Sequence, residues 1–151
     1  MKAKKEKGNN SLITLLGKSA RLMSNRLNKN LLSHGVTAEQ WTVLSSLWKK
    51  NGQTQQALAD QANKNKASIT HLIDNLEKRK LVERLVDEKD RRNKLIQLTK
   101  EGGELQESLT KVVSKTMKEI TANVDKKELK QCKRALKKMV DTLVETESQP
   151  S

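Results

Sequence analysis

Apolar residues recur along most of this chain in steps of three and four, the spacing that lines one face of an α-helix. Ile13, Leu16, Ala20, Met23, Leu27 and Leu31 form the first such series, and Gly35 closes it. Thr37 and Gln40 make a capping box for a second helix with Trp41, Leu44, Leu47 and Trp48, which Asn51-Gly52 ends. Thr54 then caps a short helix over 55–61 that buries Leu58, Ala59 and Ala62. After the turn Asn63-Lys64-Asn65, the Asn65 side chain caps a helix from Lys66 to about Arg79. Ile69, Leu72, Ile73 and Leu76 share its apolar side, and Ser68, His71, Asn75 and Arg79 its polar one. Two short helices joined by a tight turn, the second with a polar outer face, have helix-turn-helix geometry.

The period then changes. Leu81 to Val86 and Lys94 to Thr99 are alternating, β-branched-rich runs, which predict a hairpin with a charged tip over 87–93. Thr99 caps a long helix with Leu105, Leu109, Val112, Thr116 and Ile120, its first turn weakened by Gly102 and Gly103. After a break near 123–127, Leu129, Cys132, Leu136, Met139 and Leu143 make a seam for another helix. Residues 1–10 lack apolar periodicity and read as a disordered basic tail, and 147–151 as a frayed end. The predicted fold class is mainly α with a small β component (α+β): a winged helix-turn-helix flanked by long N- and C-terminal helices.

Composition narrows the function. Only 34% of the 151 residues are hydrophobic, and two Trp are the sole aromatics, so an economical aliphatic core is expected and a second copy of the chain is a natural way to complete it. No apolar run approaches the ~18 residues that span a bilayer. The short Leu12–Leu16 stretch, followed by Lys18 and Arg21, is a poor signal peptide, so a cytoplasmic protein is expected. One Cys and two His exclude a disulfide within the chain and a Cys-based zinc site, and neither a metal nor a cofactor is expected. The net charge is +13, with eleven bases against six acids in residues 64–100. Residues 101–151 hold ten bases against nine acids and read as alternating, solvated helix faces. Such a cationic middle calls for a polyanion. A membrane is disfavoured because no stretch joins a basic face to an exposed aromatic or long apolar one. Without a glycine-rich phosphate loop or a Ser/His or Cys/His pairing, the chain does not read as an enzyme. Nucleic-acid binding is favoured over a basic helical interaction module without specific DNA binding, and the lack of aromatics to stack bases argues against RNA.

Four short segments carry a family resemblance: Gly35-Val36-Thr37-Ala38-Glu39-Gln40-Trp41, Ser68-Ile69-Thr70-His71, Leu76-Glu77-Lys78, and Asp90-Arg91-Arg92 leading to Leu98-Thr99. In this order the chain resembles the MarR/SlyA family of bacterial transcriptional regulators over about residues 11–146. The resemblance implies a homodimeric, ligand-responsive regulator, a repressor, acting on near-palindromic double-stranded DNA. Residues 37–99 would be the DNA-binding lobe, and 11–36 with 100–147 the dimerisation lobe. Lys80 stands where the family often has Gly, so a left-handed backbone is expected there without glycine's freedom.

A major-groove helix reads base edges through its N-terminal end. Ser68, Thr70 and His71 are therefore the candidate readers, with Asn75 on the same helix and Lys64, Asn65 and Lys66 beside the DNA backbone. By its match to the family's wing signature, Arg92 enters the minor groove. Asp90 would hold it extended through a charge-assisted hydrogen bond, while Arg91 and Lys94 meet phosphates; Asp87 and Glu88 oppose a close approach. Trp41 matches the family's tryptophan between the two lobes, where relatives bind small aromatic anions, and Arg21 and Arg26 would neutralise such a ligand's carboxylate. The competing reading is that Trp41 and Trp48 fill the core. Cys132 reads as a small buried hydrophobe and His34 as a surface histidine.

Overall fold

A computed structural model describes residues 11–148. The expected basic tail, residues 1–10, and the chain end, residues 149–151, lie outside them. Helix α1 (Leu12–Leu31) starts on Ser11, whose hydroxyl accepts from the Thr14 amide. A 3-10 turn over Leu32–His34 then ends at Gly35 with φ +65°. Both arms of the expected capping box open helix α2 (Ala38–Lys49): Gln40 N–H donates to Thr37 Oγ1 and Thr37 N–H to Gln40 Oε1, each at 3.1 Å. Asn28 Oδ1 accepts from Ala38 N–H at 2.6 Å, satisfying a further amide at the helix start.

Strand β1 (Gln53–Thr54) leads into helix α3 (Gln55–Ala62), capped by Thr54 as expected. Asn63, at φ +51°, closes α3 in the left-handed region, a conformation asparagine tolerates better than most residues. Helix α4 (Lys66–Lys78) begins on the Asn65 side chain and ends at Lys80, which adopts the expected left-handed backbone with φ +59°. The Lys80 amide donates to Glu77 O and the Leu81 amide to Leu76 O, so the last turn is closed despite the missing glycine. Strands β2 (Val82–Val86) and β3 (Lys94–Leu98) form the predicted hairpin, with Arg84 opposite Ile96. Sequence pattern missed β1, which pairs with the other edge of β3, Gln53 opposite Ile96, to give the order β1-β3-β2. Two residues are too few to show an alternation.

The long helix expected after Thr99 is in two pieces, α5 (Lys100–Glu104) and α6 (Gln106–Ile120), interrupted at Leu105. Gly102 does more than weaken the first turn. It is buried, and a Cβ there would lie 2.0 Å from the Leu81 carbonyl oxygen, so only glycine lets α5 pack on the start of β2. Its own carbonyl accepts from Trp48 Nε1 at 3.0 Å.

The chain divides into two compact units, residues up to Thr116 and residues from Met117. The first holds the core: Leu31, Leu44, Leu47, Leu58, Ile69, Ile73, Leu76, Ile96 and Leu109 are all fully buried, and Trp41 and Trp48 pack half-buried against them. The apolar side of α4 is therefore inward, as its period implies. The second unit contains the turn after α6 and helix α7 (Lys126–Glu147), started by a capping box between Asp125 and Glu128. Within one chain α7 buries none of its residues, and Cys132 is exposed there rather than buried. In the first unit, the outer half of α1 likewise leaves Leu12, Ile13, Leu15 and Leu16 exposed. No helix among the described residues is long and apolar enough to cross a membrane.

Candidate nucleic-acid interface

The candidate interface is built on α4. Asn65 Oδ1 accepts from the Ser68 amide at 2.8 Å, which fixes the helix start and leaves Lys66, Ser68 and His71 exposed on its outer side. Farther along, the Asn75 amide nitrogen lies 3.3 Å from His71 Nε2, so these two side chains form one polar pair a turn apart. Thr70 differs from its expected role. It is half-buried, its hydroxyl donates to Lys66 O, and it accepts from Gln55 Nε2, so it joins α4 to α3. Lys64 is ion-paired with Glu39 at 2.6 Å and would have to exchange that carboxylate for a phosphate.

The hairpin tip is organised by its own carboxylates. Asp87 accepts from the Lys89 amide at 3.0 Å and Asp90 from the Arg92 amide at 3.2 Å, while Asn93 N–H donates to Asp90 O. Asp90 thus shapes the turn through the backbone. Its Oδ1 is 4.0 Å from Arg92 Nε, too far for the hydrogen bond expected to hold the guanidinium. The Arg92 side chain is 95% exposed, and Arg91 and Lys94 are exposed beside it. These three bases project from a tip on which Asp87 and Asp90 are both turned onto backbone amides.

One element of the interface was invisible in the sequence pattern. Arg84 of β2 is mostly buried and reaches two carboxylates of α4, Asp74 at 2.7 Å and Glu77 at 2.9 Å. This fork sets the hairpin against α4. The only hint is Asp74 and Glu77 three residues apart on one helix, and a local spacing does not name a partner on a later strand. At the other end of α4, Arg79 donates to the Gly35 carbonyl, so it anchors the helix rather than extending the outer polar face.

Trp41 and Trp48 line one side of a cleft of about 390 Å³, with Val113 and Thr110 of α6 opposite and Lys49 at its edge. Arg21 and Arg26 are both exposed on α1 and do not line it, so within one chain the nearest cation is a lysine that sequence reasoning did not select.

Helix α3, a short turn, helix α4 and the β2–β3 hairpin make a winged helix-turn-helix, a DNA-binding architecture of transcriptional regulators. The sequence profile of the MarR family matches residues 36–94. The HTH-type transcriptional regulator YwoH of Bacillus subtilis (strain 168) is 32% identical over 115 residues, covering 76% of this chain and 83% of that protein. Among solved structures, S. aureus MepR in complex with DNA superposes with a TM-score of 0.79 at 28% identity, over 87% of this chain and 98% of the other. CouR from Rhodococcus jostii RHA1 bound to p-coumaroyl-CoA does so with 0.80 at 26% identity, over 89% and 94%. The chain belongs to the MarR family of transcriptional regulators.

Proposed function

We propose that this regulator is a homodimeric repressor that binds a near-palindromic duplex and is released by a small aromatic anion. The observation that carries the reading is the pairing of an exposed polar helix start (Lys66, Ser68, His71) with a hairpin tip bearing exposed Arg91, Arg92 and Lys94. The helix has the size and polarity for the major groove and the tip for the minor groove. Lys64, Asn65, Thr70, Asn75 and Asp90 position these groups or lie beside them. In this reading residues 37–99 bind DNA, and residues 11–36 and 100–147 build the dimer. Exposed Ile13 and Leu16 on α1 and Val140, Leu143 and Val144 on α7 support a second copy as their cover. That S. aureus MepR forms a complex with DNA supports the duplex as ligand.

The effector reading rests on the Trp41–Trp48 cleft, and the complex of CouR with p-coumaroyl-CoA supports a small-molecule partner of aromatic character. Arg21 and Arg26 do not line this cleft, and Lys49 is the cation among its lining residues. Ligand binding would alter the separation of the two α4 helices, which must match half-sites ~34–36 Å apart.

Equilibrium titration of duplex DNA tests the reading. A dimer touching ~6–10 phosphates loses ~10³- to 10⁵-fold in affinity between 50 and 200 mM salt. Arg92→Ala is expected to weaken operator binding strongly with fold and dimer intact; unchanged affinity removes the hairpin from the mechanism. Salt-insensitive or absent DNA binding by the intact protein would instead favour the basic interaction module. Salicylate should quench the emission of the two tryptophans and release DNA over one concentration range.

A further inference from the structure

Residues 101–151 were expected to alternate charges, and their near-neutral total conceals a segregation. Between 126 and 138, α7 carries six lysines and Arg134 against one acid, Glu128. That acid is engaged at the helix start, its Oε2 accepting from the Asp125 amide at 3.2 Å. Asp141, Glu145 and Glu147 follow only in the last turns. At 100° per residue, Lys126, Lys127, Lys130, Lys133, Arg134, Lys137 and Lys138 all fall within an arc of about 140°, along a rise of about 18 Å. The apolar series Leu129, Leu136, Met139 and Leu143 occupies a separate sector of the same helix. All seven bases are exposed, and among the described residues no carboxylate forms an ion pair with any of them.

Helix stability does not explain this arrangement. Lys126 and Lys130, Lys130 and Arg134, Lys133 and Lys137, and Arg134 and Lys138 are four pairs of like charges at i,i+4, each of which destabilises a helix. The bases also crowd the positive end of the helix dipole and the acids its negative end, the reverse of the favourable order. A face serving solubility alone mixes its signs. A row of about one cation per 2.6 Å of helix, by the same 1.5 Å rise, is comparable with the charge density of a duplex, one phosphate per ~1.7 Å. Lysine binds phosphate as a point charge without bidentate base reading, and the arc carries no aromatic on which an unpaired base would stack.

We propose that this ridge of α7 is a second DNA-binding surface, one that holds the backbone of double-stranded DNA without regard to sequence and acts independently of the winged helix. It adds non-specific affinity to that supplied by α4 and the hairpin.

The test uses the full chain and a 30-base-pair duplex of random sequence, titrated at several NaCl concentrations. Lys130→Gln, Lys133→Gln and Lys137→Gln together should flatten the dependence of log K on log salt by about two to three, at ~0.9 for each phosphate no longer neutralised. Affinity for the random duplex at 100 mM NaCl should fall about tenfold or more. The same three positions changed to Arg should behave as wild type, and Lys130→Gln alone should remove about one unit of slope, which keeps the test decisive if the triple variant folds poorly. In an Arg92→Ala background the triple Gln change should have the same effect, so a failure of the winged-helix reading and a failure of this one are separable. An unchanged slope and affinity in the Gln variants overturns the proposal. So does lysine-dependent binding to vesicles of 30% phosphatidylserine with no lysine-dependent binding to DNA, which would make the ridge a membrane-binding face.

Discussion

Helices α4 and α7 carry equally regular apolar series and meet opposite fates within one chain. In α4, Ile69, Leu72, Ile73 and Leu76 are at most 7% exposed, whereas α7 buries none of its residues. The pattern that announces an apolar face is the same in both; the difference is the supply of surface to cover it. Around α4 the chain brings α2, α3 and β2, each within about forty residues, and their aliphatic side chains close a core with no Phe or Tyr. The stripe of α7 is only partly covered within one chain, with Leu129, Leu136 and Met139 half-buried and Leu143 exposed, as Ile13 and Leu16 of α1 are. Periodicity thus says that a face needs a partner and leaves open whether the partner is the same chain or a copy of it.

Paired substitutions on the two helices should separate these cases with large effects. Ile73→Ala removes fully buried atoms of α4 and should lower unfolding stability by ~2–5 kcal/mol in denaturant titration. Leu136→Asp puts a charge into the α7 stripe and should act on assembly, shifting sedimentation from dimer to monomer at micromolar concentration through a cost of several kcal/mol. A monomeric wild type at that concentration would break the comparison, because α7 would then be stable with its stripe uncovered.

Two adjacent glycines give a smaller contrast of the same kind. Gly102→Ala drives a Cβ against the Leu81 carbonyl and should cost ~1–3 kcal/mol. A Cβ on Gly103 meets nothing within 4 Å, so Gly103→Ala should stabilise the helix by up to ~0.5–1 kcal/mol. Equal effects of the two in thermal unfolding would mean that α5 is not held against β2. Next in size, Arg84→Ala should cost about 1 kcal/mol, since its carboxylate partners are nearly half exposed and partly screened by solvent. It should also raise hydrogen exchange in the hairpin; protection equal to wild type would show that strand pairing alone holds the wing. Lys80→Gly is a gain of similar size: it relieves a left-handed non-glycine residue and should add about 1 kcal/mol.

The legible parts of this molecule are those encoded over a few neighbouring residues. Caps at Thr37, Thr54, Asn65 and Thr99 mark four helix starts, and the change of period at Leu81 marks the hairpin. What stayed hidden depends on interactions between distant segments. The fork from Arg84 to Asp74 and Glu77, the hydrogen bond from Trp48 to Gly102 across 54 residues, and the buried packing of Gly102 leave no local trace. The two-residue β1 has no period to detect, and Leu105 interrupts a helix whose apolar spacing runs on unbroken. At the candidate interface the outer face of α4 and the basic tip were readable as residue types in order. That Thr70 is bonded to α3, and that Asp90 holds a backbone amide rather than a guanidinium, depended on side-chain geometry that spacing does not carry.

Footprinting of the intact protein on fragments selected from its native genome tests the central claim most directly. The expected result is two protected half-sites of inverted sequence, about 10–10.5 base pairs or a multiple of that apart from centre to centre. Arg92→Ala should lose the minor-groove protection at both. A single asymmetric footprint, or protection spread evenly over every fragment, would contradict a dimer that reads DNA with its two α4 helices and wings.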